Sequence, residues 1–140
     1  MLSVENILKA KITEIISNDV SAILKCQVES KFFFVLLSKH ILDELRLKKD
    51  DTSYLIFNAL DVVLSKNECA TRIACENEFN GKIMQIQNTN SFSLITVLCN
   101  NFEIKVQCSL QKAKQMNLNI ADNVNVLINA NNILLGINDG

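Results

Sequence analysis

The chain has no proline and no tryptophan, three scattered glycines and a single histidine. Without proline there is no polyproline segment and no proline-punctuated linker between domains. Gly81, Gly136 and Gly140 stand alone, so no Gly-rich loop is available to cradle a phosphate. The lone His40 excludes a His-based metal centre and a His-Glu-x-x-His helix, and no nucleophile or carboxylate stands at a recognisable spacing from it. It follows Ser38 on an expected short helix, where a solvated position suits it. A Gly-x-Ser-x-Gly elbow is absent too. These gaps remove the common catalytic signatures, so the chain reads as a non-enzyme without a redox cofactor.

Charge excess is also missing. Fourteen Lys and Arg stand against fifteen Asp and Glu, interspersed, for a net charge of −1. A nucleic-acid surface needs a basic stripe to displace counterions, and none is present. No apolar run approaches the roughly 18 residues of a membrane span. The opening Met1-Leu2-Ser3-Val4-Glu5-Asn6 lacks the basic flank and apolar run of a signal peptide. The expectation is a cytoplasmic protein with neither a nucleic-acid nor a membrane partner. Cys26, Cys69, Cys75, Cys99 and Cys108 form no Cys-x-x-Cys pair, which disfavours zinc and suits reduced thiols.

What the chain does have is a repeat. At a shift of 71 positions Glu5-Asn6 falls on Glu76-Asn77 and Lys11-Ile12 on Lys82-Ile83. Val35 falls on Val106, Ser38 on Ser109, Asp51 on Asp122 and Asn58-Ala59 on Asn129-Ala130. That period is too long for a solenoid unit and reads as a duplicated domain. The two modules are assigned to 1–67 and 72–140, with a polar joint near Lys66–Ile73. Each is small enough to be marginal alone and to gain from packing on a neighbour.

Within each copy the pattern is β. First strands are expected at Ile7–Ile16 and Glu78–Gln87, each followed by an Asn-rich turn. Val20, Ala22, Leu24, Cys26 and Val28 alternate, as do Phe102, Ile104, Val106 and Cys108, the pattern of half-buried strands. Ser38 and Ser109 suit the N-cap of a short helix. Last strands, single or paired, are expected at Tyr54–Leu64 and Val124–Leu135. The fold class is all-β: two tandem OB-type small barrels, each of about five strands with one short helix. A pair of SH3-like barrels fits the same periodicity.

Polar positions repeat at both ends of each module: Ser3 to Asn6 with Ala74 to Asn77, and Asn58-Ala59 with Asn129-Ala130. Backbone N–H groups and amides gathered in such loops can hold a small anion without catalysis; equally, they can simply make turns.

At these residues the chain resembles the molybdate-binding Mop family, the molbindins and transport-associated OB domains. That family opens a module with Ser-Ala-Arg-Asn; here the stretches are Ser3-Val4-Glu5-Asn6 and Ala74-Cys75-Glu76-Asn77. It closes a module with Lys-Ala-Ser followed by an apolar run; here the stretches are Asn58-Ala59-Leu60 and Asn129-Ala130-Asn131. The resemblance implies OB-type modules and a cytoplasmic store for molybdate or tungstate. It implies sites at Ser3, Val4, Glu5, Asn6, Asn58 and Ala59, and at Ala74, Cys75, Glu76, Asn77, Asn129, Ala130 and Asn131. It further implies a homo-oligomer, with three chains in the tandem members, and a second kind of site near Asn18–Ser21 and Asn90–Phe92. Both copies replace the family's Arg with Glu and its Lys with Asn, which weakens the attraction for a dianion. The alternative is a non-catalytic structural or interaction module that kept the fold and lost the oxyanion.

Overall fold

The computed structural model describes residues 4–66 and 73–138. Ser3, Cys69 and residues 67–72 of the expected joint lie outside these.

The first half runs β1 (Glu5–Ser17), β2 (Ser21–Val28), β3 (Lys31–Ser38), α1 (Lys39–Glu44), β4 (Thr52–Asn58), a 3-10 turn (Ala59–Asp61) and β5 (Val63–Lys66). The second half repeats it: β6 (Asn77–Asn88), β7 (Phe92–Cys99), β8 (Phe102–Ser109), α2 (Leu110–Gln115), β9 (Asn123–Ile128), a 3-10 turn (Ala130–Asn132) and β10 (Leu134–Gly136). The architecture is two OB-type barrels in tandem, built from curled antiparallel sheets.

Local chemistry accounts for these elements. Ala22, Leu24, Cys26 and Val28 alternate inward along β2 and are all buried. Val20 does not join them. It precedes the strand and is 77% exposed, because Asn18 Oδ1 accepts the Val20 and Ser21 N–H groups in an Asx turn. Ser38 Oγ accepts the Ile41 N–H and Ser109 Oγ the Lys112 N–H, so both serines cap the helices expected of them. His40 lies exposed on α1, 3.5 Å from Glu44. The same three corners of each half take positive φ: Glu29 and Asn100, Arg46 and Asn117, Asp50 and Ala121. The duplication therefore extends to the backbone.

Each long first strand carries a register shift, between Ile12 and Glu14 and between Ile83 and Gln85. An extra residue there bends and twists the strand, which lets one strand serve two sides of a barrel. Gly81 lies just before the second bend. A Cβ at Gly81 would come within 2.6 Å of Val97 Cγ1 and 2.7 Å of the Leu98 carbonyl oxygen. Only glycine allows β6 to approach β7 so closely.

The sheets are not built from one half each. Their strand orders are β10-β4-β1-β2-β3 and β5-β9-β6-β7-β8. Leu134–Gly136 of the second half pairs with β4, and Val63–Lys66 of the first half pairs with β9. The final apolar segments expected in each half are thus two strands, split where Asn58 or Asn129 opens a 3-10 turn and the chain crosses over. Lys66 fastens one crossing strand: its Nζ donates to the Asn117 carbonyl at 3.0 Å and lies 3.4 Å from Asp122.

The halves share one apolar core. Phe33 of β3 packs on Phe57 of its own half and on Phe79 and Phe102 of the other, with ring centroids 6.2, 4.4 and 5.7 Å away. Phe32 and Phe34 flank it on the outward side, the first 40% exposed. Burial pushes the Cys26 and Cys99 thiols up to about 11, as expected of cysteines used as apolar filler.

Candidate functional site

The opening and closing segments of each half meet in space because β1 pairs with β4 and β6 with β9. Glu5 lies opposite Asn58, and the Ala59 N–H donates to the Val4 carbonyl at 2.8 Å. In the second half Asn77 lies opposite Ile128, one step from Glu76 and Asn129. The antiparallel ladder therefore joins residues more than 50 positions apart in sequence.

The two asparagines of the opening segments are already occupied. Asn77 Nδ2 donates to the Phe34 carbonyl at 2.9 Å, and the Phe34 N–H donates to Asn77 Oδ1 at 2.7 Å. Asn6 makes the matching pair with Lys105, at 2.9 and 2.7 Å. Each side chain imitates one rung of a β-ladder on the outer edge of the opposite half's sheet. Both are buried, Asn6 5% and Asn77 1% exposed, so both amide ends are spent where water cannot replace the bonds. These clamps also cover edges that would otherwise invite another strand.

The remaining positions divide by exposure. Glu5, Glu76, Ala74, Asn129 and Asn131 are exposed; Val4, Cys75 and Asn58 are half-buried; Ala59 and Ala130 are buried. Asn58 Oδ1 accepts the Leu60 N–H and caps its 3-10 turn. Asn129 makes no such cap, so its amide is not committed in that way. The Cys75 thiol donates to the Asn77 carbonyl at 3.4 Å.

In the second half these segments border a groove of about 260 Å³. Ala74 and Cys75 supply one wall, Leu127 to Asn129 another, and Asp61 with Val63 a third. Asp61 and Val63 come from the first half, carried in by the crossing strand. Sequence reading missed both, since nothing in their spacing reveals that their strand leaves its own half. Among the described residues no Lys or Arg lines the groove, and the one charged residue that does is Asp61. The described residues offer polar contacts from backbone, amide and thiol, and a carboxylate at Asp61.

The turns of the second suggested site use their acceptors internally. Asn18 Oδ1 takes two N–H groups, and Thr89 Oγ1 takes those of Ser91 and Phe92. Among the described residues no group of His, Cys, Asp and Glu could hold a metal ion, and no helix is long and apolar enough to cross a membrane.

No family model and no curated protein matches this sequence. Its fold does match a solved structure. The cytoplasmic molybdate-binding protein ModG, in a crystal form with molybdate bound, superposes with a TM-score of 0.89. The match covers 95% of this chain and 96% of that one, at 16% sequence identity. At that identity the likeness is one of fold, and it extends over both halves.

Proposed function

We propose that this chain is a non-catalytic cytoplasmic binder of molybdate or tungstate that works as a homo-oligomer. The observation that carries this reading is the fold shared with molybdate-bound ModG over nearly the whole of both chains. The groove where the second half's opening and closing segments meet supports it. The ion is held there by backbone N–H groups and the Asn129 amide, since fixed donors in a partly desolvated loop hold anions without a cation. Binding is weak by the standard of an Arg- and Lys-lined site, because each charge-assisted bond lost removes about 1.5–3 kcal/mol.

Assembly is supported by the outer face of the first sheet. Leu134, Ile56 and Ile7 lie side by side across β10, β4 and β1. Leu134 is 68% and Ile7 61% exposed, an apolar row suited to burial against another copy. Three chains is the number the resemblance implies.

A second reading has its own observation. Glu5 and Glu76 place carboxylates where the resembled family has Arg, Asp61 adds another at the groove, and Asn6 and Asn77 are spent as clamps. On this reading the chain is a structural or interaction module without the ion. Calorimetric titration with molybdate, tungstate, sulfate and phosphate separates the two. Saturable heat with the first pair supports the oxyanion reading, and no heat with any of the four supports the module.

A further inference from the structure

The outer face of the first sheet carries a second apolar surface, at the opposite end of β1 from Ile7. Ile16, Ile23 and Leu36 stand side by side across β1, β2 and β3. They are 63%, 44% and 37% exposed. Phe34 and Phe32 continue the surface along β3, on the same side as Leu36, because Phe33 and Val35 between them point into the core. Phe32 is exposed and Phe34 half-buried.

The repeat shows that the fold does not require this surface. A shift of 71 positions carries Ile16, Ile23 and Leu36 onto Gln87, Leu94 and Gln107, which occupy the same rungs of the second sheet. Phe32 and Phe34 become Glu103 and Lys105. Four of the five positions are polar in the second half, on the same backbone plan. A contact that used both halves alike would keep both faces apolar, so this one belongs to the first half alone.

The chain offers no cover of its own. The internal stretch outside the described residues, Asn67-Glu68-Cys69-Ala70-Thr71-Arg72, has no large apolar side chain. Charge does not select an ionic partner either. Glu14 and Lys25 are cross-strand neighbours beside the row, and Lys25 Nζ lies 4.4 Å from the Phe32 ring centroid. One acid beside one base gives no field to draw a charged protein, a nucleic acid or an anionic membrane, and does not repel a copy of itself. The five side chains expose on the order of 400 Å², large for a patch left to solvent. One side of a standard protein interface is about 800 Å², of which roughly 450 Å² is apolar. An apolar, neutral surface of that size, present once per chain, matches itself about a two-fold axis, and a single such contact closes.

We infer that two copies of this chain pack face to face through Ile16, Ile23, Leu36, Phe34 and Phe32. The two sheets stack about 10 Å apart and their side chains interdigitate, as in a sandwich. The contact is separate from the row of Ile7, Ile56 and Leu134 and from the oxyanion groove, and does not rest on either.

Sedimentation equilibrium of the full chain at micromolar concentration counts the copies. The decisive variant is Ile16→Gln with Phe34→Lys and Leu36→Gln, which gives the first half the residues that the second already carries on the same backbone plan. The parent is expected at an even number of chains and the variant at half that number, with the dissociation constant of the contact raised about a hundredfold or more. Ile7→Glu, which copies Glu78 onto the other row, is the control and should leave the number even. Should the triple variant fail to fold, Leu36→Gln alone replaces it, and the same weakening of the contact is expected. A parent with an odd number of chains overturns the inference: one chain would leave this face to a different protein, and three would keep the assembly proposed above without this contact. A folded variant that keeps the parent's number, or a control with an odd number, overturns it as well.

Discussion

Replacing Asn77 with alanine should destabilise the whole chain while leaving any oxyanion affinity of the folded form intact. The side chain is 1% exposed and makes two hydrogen bonds to the backbone of Phe34, at 2.7 and 2.9 Å. Each is worth about 0.5–1.5 kcal/mol net, and removing the amide also strands an N–H and a carbonyl beneath the opposite half. The loss should total roughly 2–4 kcal/mol, a large share of the 5–15 kcal/mol typical of a domain. Asn77→Asp should lose about as much, because a carboxylate cannot donate to the Phe34 carbonyl. Asn6→Ala should match Asn77→Ala, since Asn6 makes the same pair with Lys105. Urea unfolding reads the effect as a lower midpoint at unchanged slope. A variant within about 0.5 kcal/mol of the parent would refute the clamp, because that is the range of an ordinary surface change. A variant that stays stable but loses molybdate binding would assign the amide to the ligand instead.

Two further substitutions test the strand geometry. Gly81→Ala places a methyl group 2.6 Å from Val97 Cγ1 and 2.7 Å from the Leu98 carbonyl oxygen, and should cost about 1–3 kcal/mol by urea unfolding; an unchanged midpoint would mean that β6 and β7 are not so close. Ala121→Gly should raise stability by up to about 1 kcal/mol in the same assay, because Ala121 sits at a φ of 75° that costs an L-residue roughly 1–2 kcal/mol; a loss of stability would argue against the positive φ.

Much of the fold was legible because its causes are local. Alternation in Phe102 to Val106, the caps at Ser38 and Ser109 and the polar corners each act within a few residues, and the repeat presented them twice. The exchange of β5 and β10 was not legible. Val63–Lys66 carries the same apolar pattern whichever sheet it joins, so its partner is decided by the length and direction of the turn at Ala59–Asp61. For the same reason the sequence drew together the opening and closing segments but not Asp61 and Val63. Asn6 and Asn77 stood out as repeated polar residues, yet repetition is equally consistent with a ligand and with a clamp. Only their partners, Lys105 and Phe34 of the opposite half, distinguish the two. Val20 shows the limit of periodicity: it continues the alternation of β2, but the Asx turn at Asn18 claims its N–H first.

The groove beside Asn129 is proposed as an oxyanion site in which Glu76 and Asn129 stand where the resembled family has Arg and Lys. The most direct measurement is a molybdate titration of the parent beside the double variant Glu76→Arg with Asn129→Lys. Two restored charge-assisted bonds, at about 1.5–3 kcal/mol each, should tighten binding by roughly two to four decades. The parent should bind weakly and saturably, and the variant much more tightly. A folded variant that binds molybdate no better than the parent would contradict it and place any site elsewhere.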